Sequence, residues 1–353
     1  MQTEGALHGE LIKKLSRDSD LSDSELKTLI DERTEEDAAL LAEKAEAKCK
    51  EIYGDRVYMR GLIEISSYCK NDCLYCGIRR SNKNAERYRL SPPQILDCCE
   101  TGYRLGFRTF VLQGGEDGFY TDELLCGLIK EIKGSYGDCA VTLSLGERSA
   151  ESYKRLYDAG ADRYLLRHET ADSDHYGKLH PAELSLENRL DCLKDLKAIG
   201  YQTGCGFMVG SPYQTTDCIV GDLRFIKSFE PHMVGIGPFV PHKDTPFKDK
   251  TGGTAELTIY LLSIIRLLLP RVLLPATTAL GTIDPTGREK GIRAGANVVM
   301  PNLSPSDVRK KYMLYDNKIC TGEEAAECIE CLKRRVASVG RRLVTDRGDY
   351  NKN

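Results

Sequence analysis

Three cysteines follow a short apolar run at a spacing suited to metal binding. Cys69, Cys73 and Cys76 form a C-x₃-C-x₂-C pattern in SYCKNDCLYCGIRRSN, directly after GLIEIS. Thiolates ligate iron well, and one short loop can wrap three of them around a cubane iron–sulfur cluster. Three ligands for four irons leave one iron open, as a catalytic metal requires. The alternative is a zinc knuckle, but zinc sites usually close with a fourth Cys or His, and none lies nearby in sequence.

A second cysteine trio lies close to the carboxyl terminus. Cys320, Cys328 and Cys331 form C-x₇-C-x₂-C in the charged segment KICTGEEAAECIEC. Exposed thiols without a metal are prone to oxidation, so the spacing favours an auxiliary [2Fe–2S] or [4Fe–4S] cluster. Zinc, or no metal at all, remains the alternative for this trio.

Glycines and charged residues stand where two other apolar runs end. Gly114, Gly115 and Glu116 end the run VLQGGE, where the glycines allow close approach of a ligand and the carboxylate can accept from an ammonium group. In DRYLLRHET, the alternation of a strand places four side chains on one face. These are Arg163, Leu165, Arg167 and Glu169. Charged groups facing a barrel interior must pair with each other or bind a ligand.

Further polar candidates follow the remaining apolar runs. Arg189 begins a helical segment and could bind a carboxylate, although such an arginine is more often a surface residue. Gly210 lies in a turn that could accommodate adenine or ribose, and Thr277 and Thr278 suit an oxyanion or a carboxylate.

The elements that would position these residues alternate regularly along the chain. Charged helical sequence fills residues 1–55, and eight apolar runs then alternate with amphipathic segments. The runs are residues 58–66, 109–113, 140–145, 163–167, 203–209, 233–237, 272–276 and 297–301. This pattern predicts an α/β fold, a (βα)₈ barrel of the TIM type, rather than a doubly wound sheet. We expect an N-terminal helical extension at 1–55, the barrel at 56–305 and a C-terminal helical tail at 306–353.

Composition excludes several classes of protein. The net charge of −3 comes from dispersed charges, which gives no reason to expect nucleic acid or an anionic membrane as a partner. No apolar signal segment follows the start MQTEGALHGELIKK, and the most apolar stretch, YLLSIIRLLLP, is too short to span a bilayer. We therefore expect a cytoplasmic protein, in which cysteines stay reduced.

The cysteine loop, placed after the first strand of a barrel, resembles that of the radical S-adenosylmethionine (SAM) superfamily. The resemblance implies a [4Fe–4S] cluster whose open iron binds the amino and carboxylate groups of SAM. One-electron cleavage of SAM would then give methionine and a 5′-deoxyadenosyl radical. It also implies that Tyr75 contacts adenine and that the Gly114–Gly115–Glu116 segment receives the amino group of SAM.

Several motifs narrow the resemblance to the HydE family of [FeFe]-hydrogenase maturases. The most specific are RYLLRHETA and PFVPHKDTP, and VTLSLGE, ENRLDCL, PATTALGT and GANVVMPN accompany them in order. The resemblance implies that Glu169 and Arg189 hold the ribose and carboxylate of SAM, and that Arg167, Thr277 and Thr278 hold a substrate carboxylate. It further implies a cavity lined by Gln113, Thr142, Met233, Met300 and Tyr315. The auxiliary cluster is variable and dispensable in that family.

The implied task is assembly of the two-iron subcluster of the hydrogenase. The substrate would be an iron–carbonyl–cyanide–cysteine complex from the maturase HydG, with HydF as scaffold and a ferredoxin or flavodoxin as electron donor. The alternatives are a methylornithine-synthase-like or biotin-synthase-like enzyme acting on a small organic substrate. From another class, a zinc-stabilised scaffold without redox chemistry also remains open.

Overall fold

Three helices precede the barrel, as the amphipathic pattern of the first 55 residues predicts. The computed structural model describes residues 4–319, 321 and 328–350. The helices are α1 (Glu4–Asp18), α2 (Asp23–Asp31) and α3 (Glu35–Tyr53). Ser22 and Thr34 cap α2 and α3 through reciprocal bonds with Glu25 and Asp37, which satisfies backbone N–H groups at both helix starts. Asp20, two residues before Ser22, pairs with Arg224.

Short parallel strands alternate with helices through the rest of the chain. The strands are β1 (Arg56–Met59), β2 (Gly61–Ser66), β3 (Thr109–Gly114), β4 (Ala140–Ser144), β5 (Arg163–Leu165), β6 (Gln202–Cys205), β7 (Met208–Val209), β8 (Met233–Val234), β9 (Gly237–Pro238), β10 (Val298–Val299) and β11 (Arg342–Val344). The helices are α4 (Pro92–Arg104), α5 (Asp122–Ser135), α6 (Ala150–Asp158), α7 (Ser173–Leu179), α8 (Leu186–Ile199), α9 (Thr216–Phe229), α10 (Ala255–Leu268), α11 (Thr278–Ile283), α12 (Gly287–Arg293), α13 (Ser306–Arg309) and α14 (Ile329–Ala337).

The strands close into a barrel, which confirms the predicted fold class. Six of them form one parallel sheet in the order β2-β3-β4-β5-β6-β8. Parallel bridges continue the circle from Met233 to Leu273 and from Pro275 to Val298, and Leu62 bridges Asn302 to return to the first strand. The predicted run at 272–276 forms only isolated bridges, because Pro275 has no N–H group to donate to a ladder.

The C-terminal residues close the lower end of the barrel, where the strands begin. The tail is only partly helical: after α14, strand β11 pairs in parallel with β1. Beyond it, the Arg163 guanidinium donates to the backbone carbonyl of Arg347 and to the Asp349 carboxylate. Arg60 donates to the carbonyl of Gly348. The opposite end, where the strands finish, is therefore the open end.

The helices pack around this barrel. Helix α10 has an apolar sequence and is almost wholly buried, with α3 packed against it. Among the described helices, none has both the length and the apolar character needed to cross a membrane.

Candidate active site

The cysteine loop begins at the end of β2, at the open end of the barrel. Backbone bonds from Leu74 to Leu179 and from Gly77 to Leu314 attach it to α7 and to the C-terminal segment. Burial raises the pKa of all three thiols, that of Cys73 to about 12, and nearby thiols add to the shift at Cys73 and Cys76. The three thiols, which are partly buried, would become metal ligands only when a metal displaces their protons.

One arginine holds both ends of this loop together. The Arg87 guanidinium donates to the carbonyl of Ser67, before the first cysteine, and to that of Ile78, after the third. It also donates to the carbonyls of Arg79 and Asn82. A planar fork with five donors can satisfy several carbonyls at once, so Arg87 fixes the span of the loop.

The end of β3 packs closely against the loop. A Cβ atom on Gly115 would lie 2.2 Å from the carbonyl oxygen of Tyr68 and 2.8 Å from Cys69 Cβ, so only glycine fits there. Glu116 accepts from the backbone N–H of Glu147 at 3.0 Å and pairs with Lys70 at 3.1 Å. Cys69, Cys73 and Cys76 supply three thiols from one loop, a donor set whose chemistry suits an iron–sulfur cluster.

Strand β5 and the residues after it direct alternate side chains inward, as predicted. Arg163 lies at the lower end, Leu165 lies above it, and Arg167 and Glu169 line the cavity at the open end. Arg167 Nη2 lies 3.1 Å from Glu169 Oε2. This approach is an ion-pair contact only, because Arg167 Nε, Arg167 Nη2 and Glu169 Oε2 are all buried without a hydrogen-bond partner among the described residues. Glu169 has a φ of 67°, an uncommon conformation for a residue other than glycine.

These side chains line a cavity of about 280 Å³ at the open end. Eight of the predicted site residues form part of its wall: Tyr75, Cys76, Gln113, Gly114, Arg167, Glu169, Thr277 and Tyr315. Such a concave site, mostly apolar with a few convergent polar groups, suits a small ligand.

Arg189 lies next to this cavity rather than in its described wall. It is buried, pairs with Glu147 at 2.5 Å and donates to the backbone carbonyl of Arg167 at 2.7 Å. The two contacts tie α8 to the segments that follow β4 and β5.

Thr277 and Thr278, which follow the apolar run at 272–276, make different side-chain contacts. Thr277 lines the cavity and caps α11 by accepting from Leu280 N. Thr278 faces Arg288, at 3.5 Å, and is absent from the described cavity wall. Its role as a carboxylate ligand stays a prediction.

Three other predicted cavity residues, Thr142, Met233 and Met300, lie outside the described wall of this cavity. Thr142 and Met233 line a separate cavity of about 10 Å³, into which the buried Arg60 also projects. Arg60 Nη1 contacts Met233 Sδ at 2.9 Å, and Met300 packs against the cluster that contains Met233. Leu165 lines both cavities.

Gly210 occupies a turn and not the described cavity wall. Its φ is 70°, and a Cβ atom would lie 2.5 Å from Gly253 Cα. A tight contact between two backbone segments therefore requires glycine here.

The second cysteine trio is described only in part. Cys328 and Cys331 are joined by a disulfide in this structure, with Cα atoms 5.3 Å apart, whereas Cys320 lies outside the described residues. Because iron binds thiolates, the predicted auxiliary cluster would require this pair to be reduced.

Several residues of the site were missed in the sequence. Gly146 and Glu147 follow β4 in the same glycine–glutamate order as Gly115 and Glu116, so the motif LSLGE carried a signal. No sequence pattern marks Tyr312 as a site residue. Its hydroxyl accepts a hydrogen bond from Gln113 at 3.4 Å, although the two residues are 199 positions apart in the sequence.

The segment that contains Tyr312 covers the cavity and is held by a buried ion pair. Tyr312, Leu314 and Tyr315 line the cavity, and Lys318 pairs with Glu64 of β2. Asn302 donates to the same carboxylate at 2.9 Å. Lysine and glutamate are rarely buried unless paired, so this contact fixes the segment over the barrel.

Comparison with known proteins shows the family of this chain. The sequence model of the radical SAM superfamily matches residues 63–226, which include the cysteine loop. The [FeFe] hydrogenase maturase subunit HydE of Thermotoga maritima is 49% identical over 295 residues, covering 84% of each chain. The 3-methylornithine synthase of Methanosarcina acetivorans is 29% identical over 93% of this chain and 92% of its own.

Solved structures share the architecture. Methylornithine synthase (PylB) superposes with a TM-score of 0.83 at 27% identity, over 95% of this chain and 97% of its own. HydG, a maturase of the [FeFe]-hydrogenase, gives a TM-score of 0.81 at 20% identity, over 97% of this chain and 76% of its own. The second likeness concerns the fold alone.

Proposed function

The chain belongs to the radical SAM superfamily and, within it, to the HydE family of [FeFe]-hydrogenase maturases, and from this premise we propose its task and its site chemistry. It reductively cleaves SAM and matures the di-iron subcluster of the hydrogenase, acting on an iron-bound cysteine complex supplied by HydG. The observation that carries the proposal is 49% identity to a HydE over 84% of the chain, with the cysteine loop at the open end of the barrel.

Cys69, Cys73 and Cys76 would hold a [4Fe–4S] cluster with one iron free for SAM. The cluster and SAM, when bound, supply an electron and the 5′-deoxyadenosyl radical that attacks the substrate. Glu169 would receive the ribose hydroxyls, and Tyr75 would pack against adenine, since both line the cavity. Glu116 would receive the amino group of SAM at the end of β3.

Arg167 would bind the substrate carboxylate. Its guanidinium lines the cavity, and its Nε atom has no hydrogen-bond partner among the described residues. A guanidinium fork matches a carboxylate with two parallel bonds, so a cysteine-derived carboxylate would complete this set. Thr277 lines the same cavity and would add a hydroxyl donor.

The chain would also enclose the radical reaction and keep water away from it. A carbon-centred radical reacts with many groups, so the site must position its substrate and exclude water. The C-terminal residues close the lower end of the barrel, and the segment held by Lys318 covers the upper cavity. HydF would serve as the scaffold that receives the product, and the cytoplasm would be the compartment.

Genetic replacement tests the task. In a bacterium that lacks its own HydE but retains HydG and HydF, this chain should restore hydrogenase activity. Cys73→Ala, produced at the same level, should not. Failure of the active chain to restore the hydrogenase, together with methylornithine formation by the purified enzyme, would favour a methylornithine-synthase-like function, for which the PylB likeness is the supporting observation.

A further inference from the structure

An aromatic and basic patch lies on the outer surface beside the first cysteine of the loop. Tyr68 directly precedes Cys69 and is 38% exposed, and Phe119, in the loop after β3, is 45% exposed. The described residues expose only three other large apolar side chains, Leu7, Tyr213 and Ile283. Tyr68 and Phe119 are thus two of the five exposed large apolar residues described, and they lie on the same patch. Grouped exposed apolar residues mark interaction sites more often than scattered ones do.

Arg89 joins the two aromatic rings. Its Cζ atom lies 4.0 Å from the centre of the Tyr68 ring and 5.0 Å from that of Phe119. Tyrosine and arginine are enriched among the residues that dominate protein–protein binding energy. We name the surface of Tyr68, Lys70, Arg89 and Phe119 the Arg89 patch.

In both ion pairs of the patch, the basic side chain is more exposed than its acidic partner. Arg89 pairs with Asp117 at 2.7 Å, and their side chains are 37% and 4% exposed. Lys70 pairs with Glu116 at 3.1 Å, and their side chains are 64% and 9% exposed. The carboxylates are buried below the surface, so the patch presents positive charge to an approaching protein.

We infer that the Arg89 patch is the docking site of an acidic protein that carries one electron at a time. This inference rests on the proposed function, because reductive cleavage consumes one electron for each SAM. The carrier would be oxidised by one electron at this face, and a cluster held by Cys69, Cys73 and Cys76 would be reduced by one. Tyr68 and Lys70 of the patch directly precede and follow Cys69 in the chain. Electron-transfer complexes are typically small and weak, and complementary charge steers their formation.

Binding of a purified flavodoxin to the full-length enzyme tests the inference without depending on turnover. Phe119→Glu introduces a negative charge into the patch without removing a cluster ligand. Tyr213→Glu is the matched control, because Tyr213 is another exposed aromatic residue with lysines near its ring. The dissociation constant is measured by calorimetry at low and high salt, and 5′-deoxyadenosine formation is measured with reduced flavodoxin and, separately, with dithionite.

Phe119→Glu should weaken flavodoxin binding about tenfold or more, because a like charge at a docking face opposes association. Flavodoxin-driven cleavage should fall with it, while dithionite-driven cleavage and the melting temperature stay at wild-type values. Tyr213→Glu should match the wild type throughout. Unchanged flavodoxin binding by Phe119→Glu, or equal weakening by Tyr213→Glu, would overturn the inference. A wild-type enzyme that binds flavodoxin but cannot cleave SAM with dithionite would instead refute the proposed function.

Discussion

Arg167 Nη2 lies 3.1 Å from Glu169 Oε2, and both side chains face the cavity above β5. The pair brings together the residue proposed to hold the substrate carboxylate and the one proposed to hold the ribose of SAM. Two guanidinium donors of Arg167, Nε and Nη2, have no hydrogen-bond partner among the described residues. A substrate carboxylate that accepts from these two donors would lie beside the SAM ribose.

Arg167→Met should therefore damage substrate use more than SAM binding. Loss of a charged contact of about 3 kcal/mol corresponds to a fall in turnover of about two orders of magnitude on the cysteine-bearing complex. Arg167→Lys should recover only part of this activity, because an ammonium cannot reproduce the guanidinium fork. The measurements are SAM affinity by calorimetry and product formation. Loss of SAM binding in Arg167→Met would assign the arginine to the SAM site.

The inward orientation of Arg167 and Glu169 was predictable from the sequence. The height at which other inward side chains lie inside the barrel was not. Strand alternation alone places Arg163, Leu165, Arg167 and Glu169 on one face. The height of a side chain inside a barrel depends on strand tilt and stagger, which local sequence does not encode. Thr142 and Met233 consequently lie in the lower cavity.

Contacts between distant segments were equally hidden from the sequence. Arg189 and Glu147 are 42 residues apart, and Lys318 reaches Glu64 across 254 residues. Neither pair follows from periodicity or spacing. The short strand β11 was likewise expected to be helical, because three residues are too few to show a strand pattern before their partner β1 is known.

Gly115→Ala should disturb the cysteine loop. The added Cβ would lie 2.2 Å from the carbonyl oxygen of Tyr68, so the peptide before Cys69 must move. Misplacement of about 1 Å in a catalytic site costs on the order of 100-fold in rate, and we expect at least a tenfold loss of 5′-deoxyadenosine formation. Gly118→Ala is the control, because no atom lies within 4 Å of its added Cβ. Equal activity of the two variants would show that the contact is unimportant.

Arg87→Met should lower the iron content after anaerobic reconstitution. The substitution leaves the carbonyls of Ser67, Ile78, Arg79 and Asn82 without this donor, and each lost bond costs about 1 kcal/mol or more. We expect a several-fold loss of bound iron and an altered electron paramagnetic resonance spectrum, with Arg87→Lys recovering part of both. A variant with wild-type iron and spectrum would show that the loop keeps its shape without Arg87.

Replacement of Cys320, Cys328 and Cys331 by alanine tests the auxiliary cluster. The triple variant should bind less iron than the wild type while SAM cleavage and hydrogenase maturation continue, since these positions follow the predicted barrel segment in the sequence and resemble a variable feature of the family. Iron analysis and both activities are measured on the same preparation. An unchanged iron content would exclude an auxiliary iron cluster, and loss of maturation by a folded variant would give the second site a part in the chemistry.

The most direct test of the account is the formation of 5′-deoxyadenosine by anaerobically reconstituted enzyme with SAM and dithionite. The wild-type enzyme should produce it, and Cys73→Ala should keep the circular dichroism spectrum of the barrel but produce none, because two thiolates hold the cluster poorly and SAM then has no iron to bind. Normal 5′-deoxyadenosine production by Cys73→Ala would contradict the central claim.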